Sequence, residues 1–278
     1  MNYLEPIDHQ SPDFGDFYDE LPLWSARFGL MLLDQVELRP GMTILDVGAG
    51  TGFLSIELAQ RCGAEARVIA VDPWNAAIER LNRKINRFGI RNIRTVAEDI
   101  AKIELPHESV DLIVSNLGVN NFDDPAAALR ACLRVAKPGA RLYLTTNLLG
   151  HMSEFYDAYR SVLVELGFSD RLAALDEHLA RRATVDSVRA MLEQAGFEFI
   201  EAVNWSFREQ FVDGSALLRH YFIRLAFVAA WRALAPPGAV ETTFAALERR
   251  LNAIAAESGE ISLTVPAACV QARKPAIA

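Results

Sequence analysis

Cysteine is scarce in this chain, and its scarcity limits what the protein can be. The 278 residues include three cysteines, Cys62, Cys132 and Cys269, which lie far apart. Single, scattered cysteines form neither a C-x-x-C metal pair nor a disulfide framework, so we expect buried thiols, no bound metal and a cytoplasmic location. Residues 1–6 also lack the basic and apolar regions of a secretory signal.

Positive charge and long apolar runs are scarce as well. The formal net charge is −8, which disfavours a protein that wraps a polyphosphate backbone. We therefore expect a small-molecule substrate and no nucleic-acid partner. The most apolar run, Tyr221–Ala235, is interrupted by Arg224 and Arg232, so no membrane span is expected there.

What the chain does contain is enough apolar sequence for a full core and one glycine-rich stretch. Hydrophobic residues make up 51% of the chain. Residues 44–59 read as a short apolar strand, a turn with Gly48, Gly50 and Gly52, and a helix. Glycines allow a sharp turn and a close ligand, and the amides that begin a helix favour a polar or anionic group. A nucleotide-like ligand is therefore predicted.

The spacing of the glycines narrows the choice of ligand. The dinucleotide pattern G-x-G-x-x-G would place its third glycine at Phe53, whereas the chain has G-x-G-x-G. Asp46, just before the glycines, is not part of the NAD pattern either. Asp46–Gly52 resembles motif I of the class I, Rossmann-like, S-adenosylmethionine (SAM)-dependent methyltransferases. The core is similar to the UbiE/COQ5 quinone-biosynthesis and type 11 methyltransferase families.

Acidic residues follow the next two predicted strands. Asp72 ends the strand that begins at Arg67, where a carboxylate accepts both ribose hydroxyls of NAD or SAM alike. Trp74 either packs on adenine or caps the hydrophobic end of the sheet, and both interpretations remain open. The resemblance implies that Asp99 contacts the adenine amino group and Ile100 its ring. The alternative is that Asp99 is an acidic loop tip.

The resemblance continues through Leu105–Ile113 and Arg134–Leu142. Asn116 follows the fourth predicted strand, Val110–Ser115, and no Pro-Pro-Tyr follows it, which counts against a DNA N-methyltransferase. Together the matches imply a set of cofactor contacts. They are Asp46, Gly48, Ala49, Gly50, Thr51, Gly52, Asp72, Pro73, Trp74, Asp99, Ile100, Asn116 and Leu117.

The implied fold is α/β, a doubly wound, seven-stranded, mostly parallel sheet with an antiparallel last strand. A helical amino-terminal segment and helical cap insertions surround it. The predicted divisions are a helical cover (1–40), the SAM-binding core (41–148), a helical substrate lid (149–183), and the rest of the core (184–278) with an insertion at 213–257.

Substrate contacts are expected from the helical cover and from the end of the fourth strand. A helix from Leu21 to Val36, starting at Pro22, either covers a sheet edge or closes over the cofactor. In the second case Tyr18 and Trp24 line the methyl site. The segment after Asn116 is where the acceptor should meet the sulfonium, and the substrate contacts expected there are Asn120 and Asn121.

The predicted activity is methyl transfer from SAM to an oxygen, carbon or nitrogen of a small molecule, with S-adenosylhomocysteine as product. His151 is the first candidate for a base, and His178 and His220 are weaker ones. Arg181 and Arg182 either hold an acidic substrate or lie on a solvated helix face.

Two alternative functions remain open at this stage, a SAM-binding sensor or scaffold without turnover and an NAD-linked oxidoreductase. The helix predicted for Ser215–Leu234 is a buried cap, a homodimer contact or a membrane-surface helix, and its lack of a clean basic face disfavours the last of these.

Overall fold

The computed structural model describes residues 2–8, 11, 14–19 and 23–276. The described residues form two compact units. The first, which we call the core unit, lies within residues 10–146, 184–204 and 267–278. The second, which we call the helical unit, lies within residues 1–9, 147–183 and 205–266. The predicted lid at 149–183 thus lies entirely within the helical unit.

A seven-stranded sheet orders the fold, with strand order β3-β2-β1-β4-β5-β7-β6. The strands β1 to β5 pair in parallel. β7 is antiparallel to β5, since the Gly139 amide donates to the Lys274 carbonyl and the Lys274 amide donates to the Ala140 carbonyl. The predicted fold class is confirmed. The strands are β1 (Thr43–Val47), β2 (Arg67–Val71), β3 (Ile93–Val96), β4 (Val110–Asn116), β5 (Ala136–Asn147), β6 (Glu198–Phe211) and β7 (Ile261–Arg273).

The central strands β1 and β4 are buried on both faces. Ile44 and Leu45 of β1 and Val114 of β4 are fully enclosed, as expected for apolar runs in a parallel sheet. The chain leaves β1 toward β2 on one side, whereas β4 lies on the other side. The carboxyl ends of β1 and β4 therefore form the switch point at which open α/β sheets bind ligands.

Helices cover the sheet and make up the helical unit. Their ends follow local capping rules: Asp124 accepts from the Ala127 amide before Pro125, and Thr184 exchanges hydrogen bonds with Ser187. The helix start predicted at Pro22 lies outside the described residues. The helices are α1 (Phe14–Asp19), α2 (Leu23–Leu33), α3 (Phe53–Arg61), α4 (Asn75–Phe88), α5 (Pro125–Val135), α6 (Ser153–Glu165), α7 (Leu172–Ala180), α8 (Val185–Gln194), α9 (Gly214–Arg219), α10 (Tyr221–Ile223), α11 (Ala229–Leu234) and α12 (Val240–Ser258).

Two predicted elements differ from those observed. The helix predicted for Ser215–Leu234 is interrupted at His220, whose backbone is extended, and again by a π-helical turn at Arg224–Val228. The His220 ring meets the Phe211 ring edge-on, with centroids 5.4 Å apart, so the break depends on packing against β6 rather than on a local glycine or proline. The sequence also predicts a fifth strand over residues 141–146, whereas β5 begins at Ala136, because a bulge shifts its register against β4.

The helical unit has an aromatic centre of its own. The rings of Phe155 and Trp231 stack with centroids 3.8 Å apart, and both side chains are fully buried. The long helix α12 packs against α6 and α9. Among the described residues, no helix is long and apolar enough to cross a membrane.

Candidate active site

The glycine-rich turn between β1 and α3 is held by backbone hydrogen bonds to β2. The amides of Gly48 and Ala49 both donate to the Val71 carbonyl, at 2.9 and 3.1 Å. Gly48 has φ +75°, and a Cβ there would lie 2.8 Å from the Cα of Gly118. The turn after β1 and the turn after β4 therefore approach so closely that both need glycine.

Gly50 and Asp72 join the glycine turn to the end of β2. The Gly50 amide donates to Asp72 Oδ2 at 2.8 Å, and the Trp74 amide donates to Oδ1 at 2.8 Å. Burial raises the pKa of the Asp72 carboxyl, and these two bonds oppose the rise. Pro73, which lies between Asp72 and Trp74 in the chain, is exposed. The turn is thus anchored to the acid on which the sequence prediction placed the ribose.

Asp46 lies beneath the turn and is 1% exposed. Its Oδ2 accepts from the Ser55 hydroxyl at 2.5 Å, and its carboxylate also interacts with the Ser55 amide, so it caps the first turn of α3. Oδ1 has no hydrogen-bond partner among the described residues. Burial raises the pKa of Asp46 to about 7, the Ser55 bonds lower it, and the Asp72 charge raises it further.

Ser55 is the residue that the sequence analysis missed. It is fully buried, on the same face of α3 as Leu54, Leu58 and Ala59. A serine inside an otherwise apolar helix face was the signal, because a buried hydroxyl needs a partner. Asp46, in β1, supplies that partner across the glycine-rich turn.

Asp99 and Ile100 follow β3 as the sequence placed them. Asp99 Oδ1 accepts from the Ala101 amide at 2.9 Å and begins a short 3-10 helix, while Ile100 is 3% exposed. Asp99 is only partly buried. One of its carboxylate oxygens is thus engaged in a cap, and the assignment of Asp99 and Ile100 to adenine stays a prediction.

The end of β4 is fixed by a side-chain network. Asn116 Oδ1 accepts from the Thr145 hydroxyl at 2.8 Å, and Asn116 Nδ2 donates to the Ser25 carbonyl at 2.9 Å. Thr145 Oγ1 also accepts from the Leu117 amide at 3.0 Å, which fixes Leu117 at φ +62°. Asn116 therefore holds α2 against β4 through its amide.

The two asparagines that follow are more open. Asn120 and Asn121 are exposed at the end of a 3-10 turn. The Thr146 hydroxyl donates to Asn120 Oδ1 at 2.5 Å, which orients that amide. Their predicted role as substrate contacts is untested by these bonds.

The amino-terminal helices lie on the glycine turn and on α4. Asp19 pairs with Lys84 and with Arg80, and its carboxylate also interacts with the Thr51 hydroxyl. A Cβ at Gly29 would lie 2.4 Å from the Phe53 ring, so α2 packs directly on the start of α3. We call α1 and α2 the cover helices.

The cover helices place Tyr18 and Trp24 in different surroundings. The Tyr18 ring meets the Trp74 ring edge-on at 5.3 Å, and the Asp72 charge adds to the burial that raises the Tyr18 pKa. Tyr18 thus lies beside Trp74, one of the predicted cofactor residues, and its assignment to the methyl site stays a prediction. Trp24 packs against Phe28 of α2, with ring centroids 5.8 Å apart.

His151, the predicted base, belongs to the helical unit and is 1% exposed. Its ring lies 5.5 Å from the Phe227 ring, centroid to centroid. Burial lowers its pKa to about 3, and the charges of Arg182 and His178 lower it further. His151 is therefore a neutral, enclosed imidazole near pH 7, and its role as a base stays a prediction.

Comparisons with known proteins give a consistent result. A family model described as a methyltransferase domain matches residues 38–196. The ubiquinone/menaquinone biosynthesis C-methyltransferase UbiE of Idiomarina loihiensis is 30% identical over 182 residues, which cover 62% of this chain and 72% of that protein. The counterpart from an Escherichia coli strain is 29% identical over the same length.

Solved structures show the same fold. A SAM-dependent methyltransferase from Aquifex aeolicus superposes with a TM-score of 0.54 at 23% identity, over 69% of this chain and 92% of its own. The YcgJ protein of Bacillus subtilis superposes with a TM-score of 0.60 at 19% identity, over 90% of this chain and 98% of its own.

Proposed function

Because the chain belongs to the methyltransferase-domain family, it is a SAM-dependent methyltransferase acting on a small molecule, and we propose that the cofactor binds over the carboxyl ends of β1, β2 and β4. The observation that carries this placement is the hydrogen bond from the Gly50 amide to Asp72. It fixes an open glycine backbone beside a carboxylate at the switch point of the sheet.

The residues around the turn fit this cofactor. A Cβ built on Gly50 meets no protein atom within 4 Å, so the space over that backbone is open to a ligand. Asp72 accepts one hydrogen bond on each oxygen and keeps lone pairs for a ribose diol. Two neighbouring carboxylates, Asp46 and Asp72, also favour a ligand that carries positive charge.

The protein's own groups then have distinct tasks. When bound, SAM supplies a methyl group on a positively charged sulfur. Asp72 holds the ribose hydroxyls, and Trp74 and Ile100 enclose the base, with Asp99 at its amino group. The remaining cofactor contacts are backbone contacts from Gly48, Ala49, Gly50, Thr51, Gly52, Pro73, Asn116 and Leu117. Methyl transfer depends mainly on alignment and on exclusion of water, and the cover helices support both.

For the acceptor we propose a hydroxylated ring compound of the phenol or quinol class. The relatives that match over 182 residues are named as quinone-biosynthesis C-methyltransferases, and an activated ring carbon or a phenolic oxygen is the chemistry such rings share. Trp24, Asn120 and Asn121 are the acceptor contacts that we propose from the core unit. His151 remains the proposed base for an oxygen acceptor.

The placement of the cofactor is tested by calorimetric titration with SAM and with NAD. Gly50→Ala should weaken SAM binding more than tenfold, because its Cβ projects into the ligand space. The matched control is Gly63→Ala, which has φ +74° and an equally empty surrounding, and so carries the same backbone strain of about 1 kcal/mol. Equal SAM affinities for the two variants would refute the placement. NAD binding by the wild type would refute the cofactor.

The acceptor is tested separately. Purified protein is incubated with SAM and a panel of phenols, quinols and non-aromatic acids, and release of S-adenosylhomocysteine is measured. Carbon–proton correlation spectra of the product distinguish a C-methyl from an O-methyl group. Turnover of the non-aromatic compounds alone would refute the proposed class.

We further infer a cytoplasmic location, since the three cysteines Cys62, Cys132 and Cys269 are free thiols, which suits a reducing compartment. The homodimer prediction is checked by light scattering.

A further inference from the structure

A group of titratable side chains in the helical unit has no part in the proposed cofactor site. We call it the Arg182 cluster, and it consists of His151, Tyr156, His178 and Arg182. α6 carries Tyr156 and α7 carries His178. The Leu149 amide donates to the Ala183 carbonyl at 2.9 Å, which places the segment before His151 beside the chain that follows α7.

The hydrogen bonds within the cluster fix the state of His178. The indole Nε1 of Trp231 donates to the Tyr156 hydroxyl oxygen at 3.0 Å, and that hydroxyl lies 3.0 Å from His178 Nε2. Indole nitrogen can only donate. The Arg182 side chain also hydrogen-bonds to the Tyr156 hydroxyl, and a guanidinium likewise only donates. With two donors on its oxygen, Tyr156 directs its own proton to His178 Nε2, and the neutral imidazole carries its proton on Nδ1. His178 thus keeps one N–H donor that Tyr156 does not use.

Arg182 brings a positive charge to these neutral groups. Two acids lie on α7, but Asp176 pairs with Arg160 and Glu177 pairs with Arg181. Among the described residues, no carboxylate forms an ion pair with Arg182. The side chain is nevertheless only partly exposed. A half-buried guanidinium without an anionic neighbour is costly to keep.

The charge of Arg182 affects the pKa values of Tyr156 on α6 and His178 on α7. Burial lowers the pKa of His178, and Arg182 and Arg181 lower it further. Burial raises the pKa of Tyr156, and the Trp231 hydrogen bond and Arg182 oppose the rise. His151, His178 and Tyr156 are thus all neutral near pH 7. Arg182 is the member of the cluster that carries a charge.

We propose that Arg182 and His178 form a binding site for the carboxylate of an acidic small molecule, with Tyr156 holding the His178 ring in place. The planar guanidinium matches a carboxylate with two parallel N–H bonds, and His178 supplies a further donor. One cation balances one carboxylate, whereas a phosphate dianion would require a second. The site lies in the helical unit, it includes none of the proposed cofactor residues, and its binding can be measured without SAM.

The direct test uses benzoate as the probe and protein labelled with nitrogen-15 in histidine. Saturating benzoate should shift the His178 imidazole resonances and raise the His178 pKa by about one unit, since a nearby negative charge favours imidazolium. No change at His178 would overturn the proposal. If inorganic phosphate shifts His178 and benzoate does not, the carboxylate assignment is wrong.

Variants identify the residue that binds. Arg182→Gln should weaken benzoate binding at least tenfold, whereas Arg181→Gln, the exposed neighbour paired with Glu177, should leave it unchanged. Arg182→Lys keeps the charge without the planar fork and should bind with intermediate affinity. Equal benzoate affinities for the wild type and Arg182→Gln would overturn the site. The titration contains no SAM and no acceptor, so its outcome is independent of whether the proposed methyl transfer is correct.

Discussion

The buried carboxyl of Asp46 makes the stability of this protein depend on pH in a way that one substitution should remove. Its pKa is raised from 3.8 to about 7, first by burial and then by the Asp72 charge. Because the folded pKa is above the unfolded one, the folded state keeps the proton where the unfolded state has released it. The contribution of Asp46 to the free energy of unfolding is therefore fully present below pH 3.8 and is lost as the pH rises through 7.

The magnitude follows from the size of the shift. A rise of about three units corresponds to about 4 kcal/mol, since each unit is 1.36 kcal/mol. Asp46→Asn resembles the protonated acid and cannot ionise. The free energy of unfolding of Asp46→Asn minus that of the wild type should increase by about 4 kcal/mol between pH 4 and pH 8.

The assay is urea denaturation of both proteins at intervals of half a pH unit, with the carbon-13 resonance of the Asp46 carboxyl as a direct measure of its pKa. Asp186→Asn is the control, because it removes an equal charge from an exposed position in α8. Its difference from the wild type should stay flat with pH. A flat difference for Asp46→Asn, or a carboxyl resonance that titrates near pH 4, would refute the reasoning.

Three further predictions concern the same region. SAM binding to the wild type near pH 7 should release part of a proton from Asp46, measured by calorimetry in buffers of different ionisation enthalpy, and binding that releases none would contradict the coupling. Gly48→Ala should lower the thermal midpoint by several degrees, because its Cβ would lie 2.8 Å from the Cα of Gly118 at φ +75°; an unchanged midpoint would show that the turns can separate freely. Asp19→Asn removes the pairs with Lys84 and Arg80, so SAM should dissociate several-fold faster in stopped-flow measurements, and salt should accelerate dissociation in the wild type only.

Much of the core could be read from local sequence. Continuous apolar runs are typical of buried parallel strands, and Gly89, Asp124 and Thr184 are residue types that favour the helix ends at which the structure has them. These signals are local, because a strand buried on both faces and a capped helix each need particular residues at fixed spacings. The family comparison then decided between SAM and NAD, which Asp72 alone could not.

The roles of individual site residues were harder to read. Asp46 was predicted as a cofactor contact, which stays a prediction, and the structure adds that it is buried and hydrogen-bonded to Ser55. Tyr18 was predicted at the methyl site if the cover closes over the cofactor, which also stays a prediction, and the structure adds its contact with Trp74. In both cases the deciding neighbour belongs to another element, and sequence spacing carries no distance across elements.

The sequence by itself determined the α/β class, the glycine turn and the acid that ends β2, because each depends on residues adjacent in the chain. Only the tertiary structure decided which of the two adjacent arginines, Arg181 and Arg182, has a carboxylate partner. Arg181 is paired with Glu177 one helical turn away, whereas Arg182 faces Tyr156 and two histidines without a carboxylate. The physical reason is that the electrostatic environment of a side chain is set by packing between elements, which the order of residues does not specify.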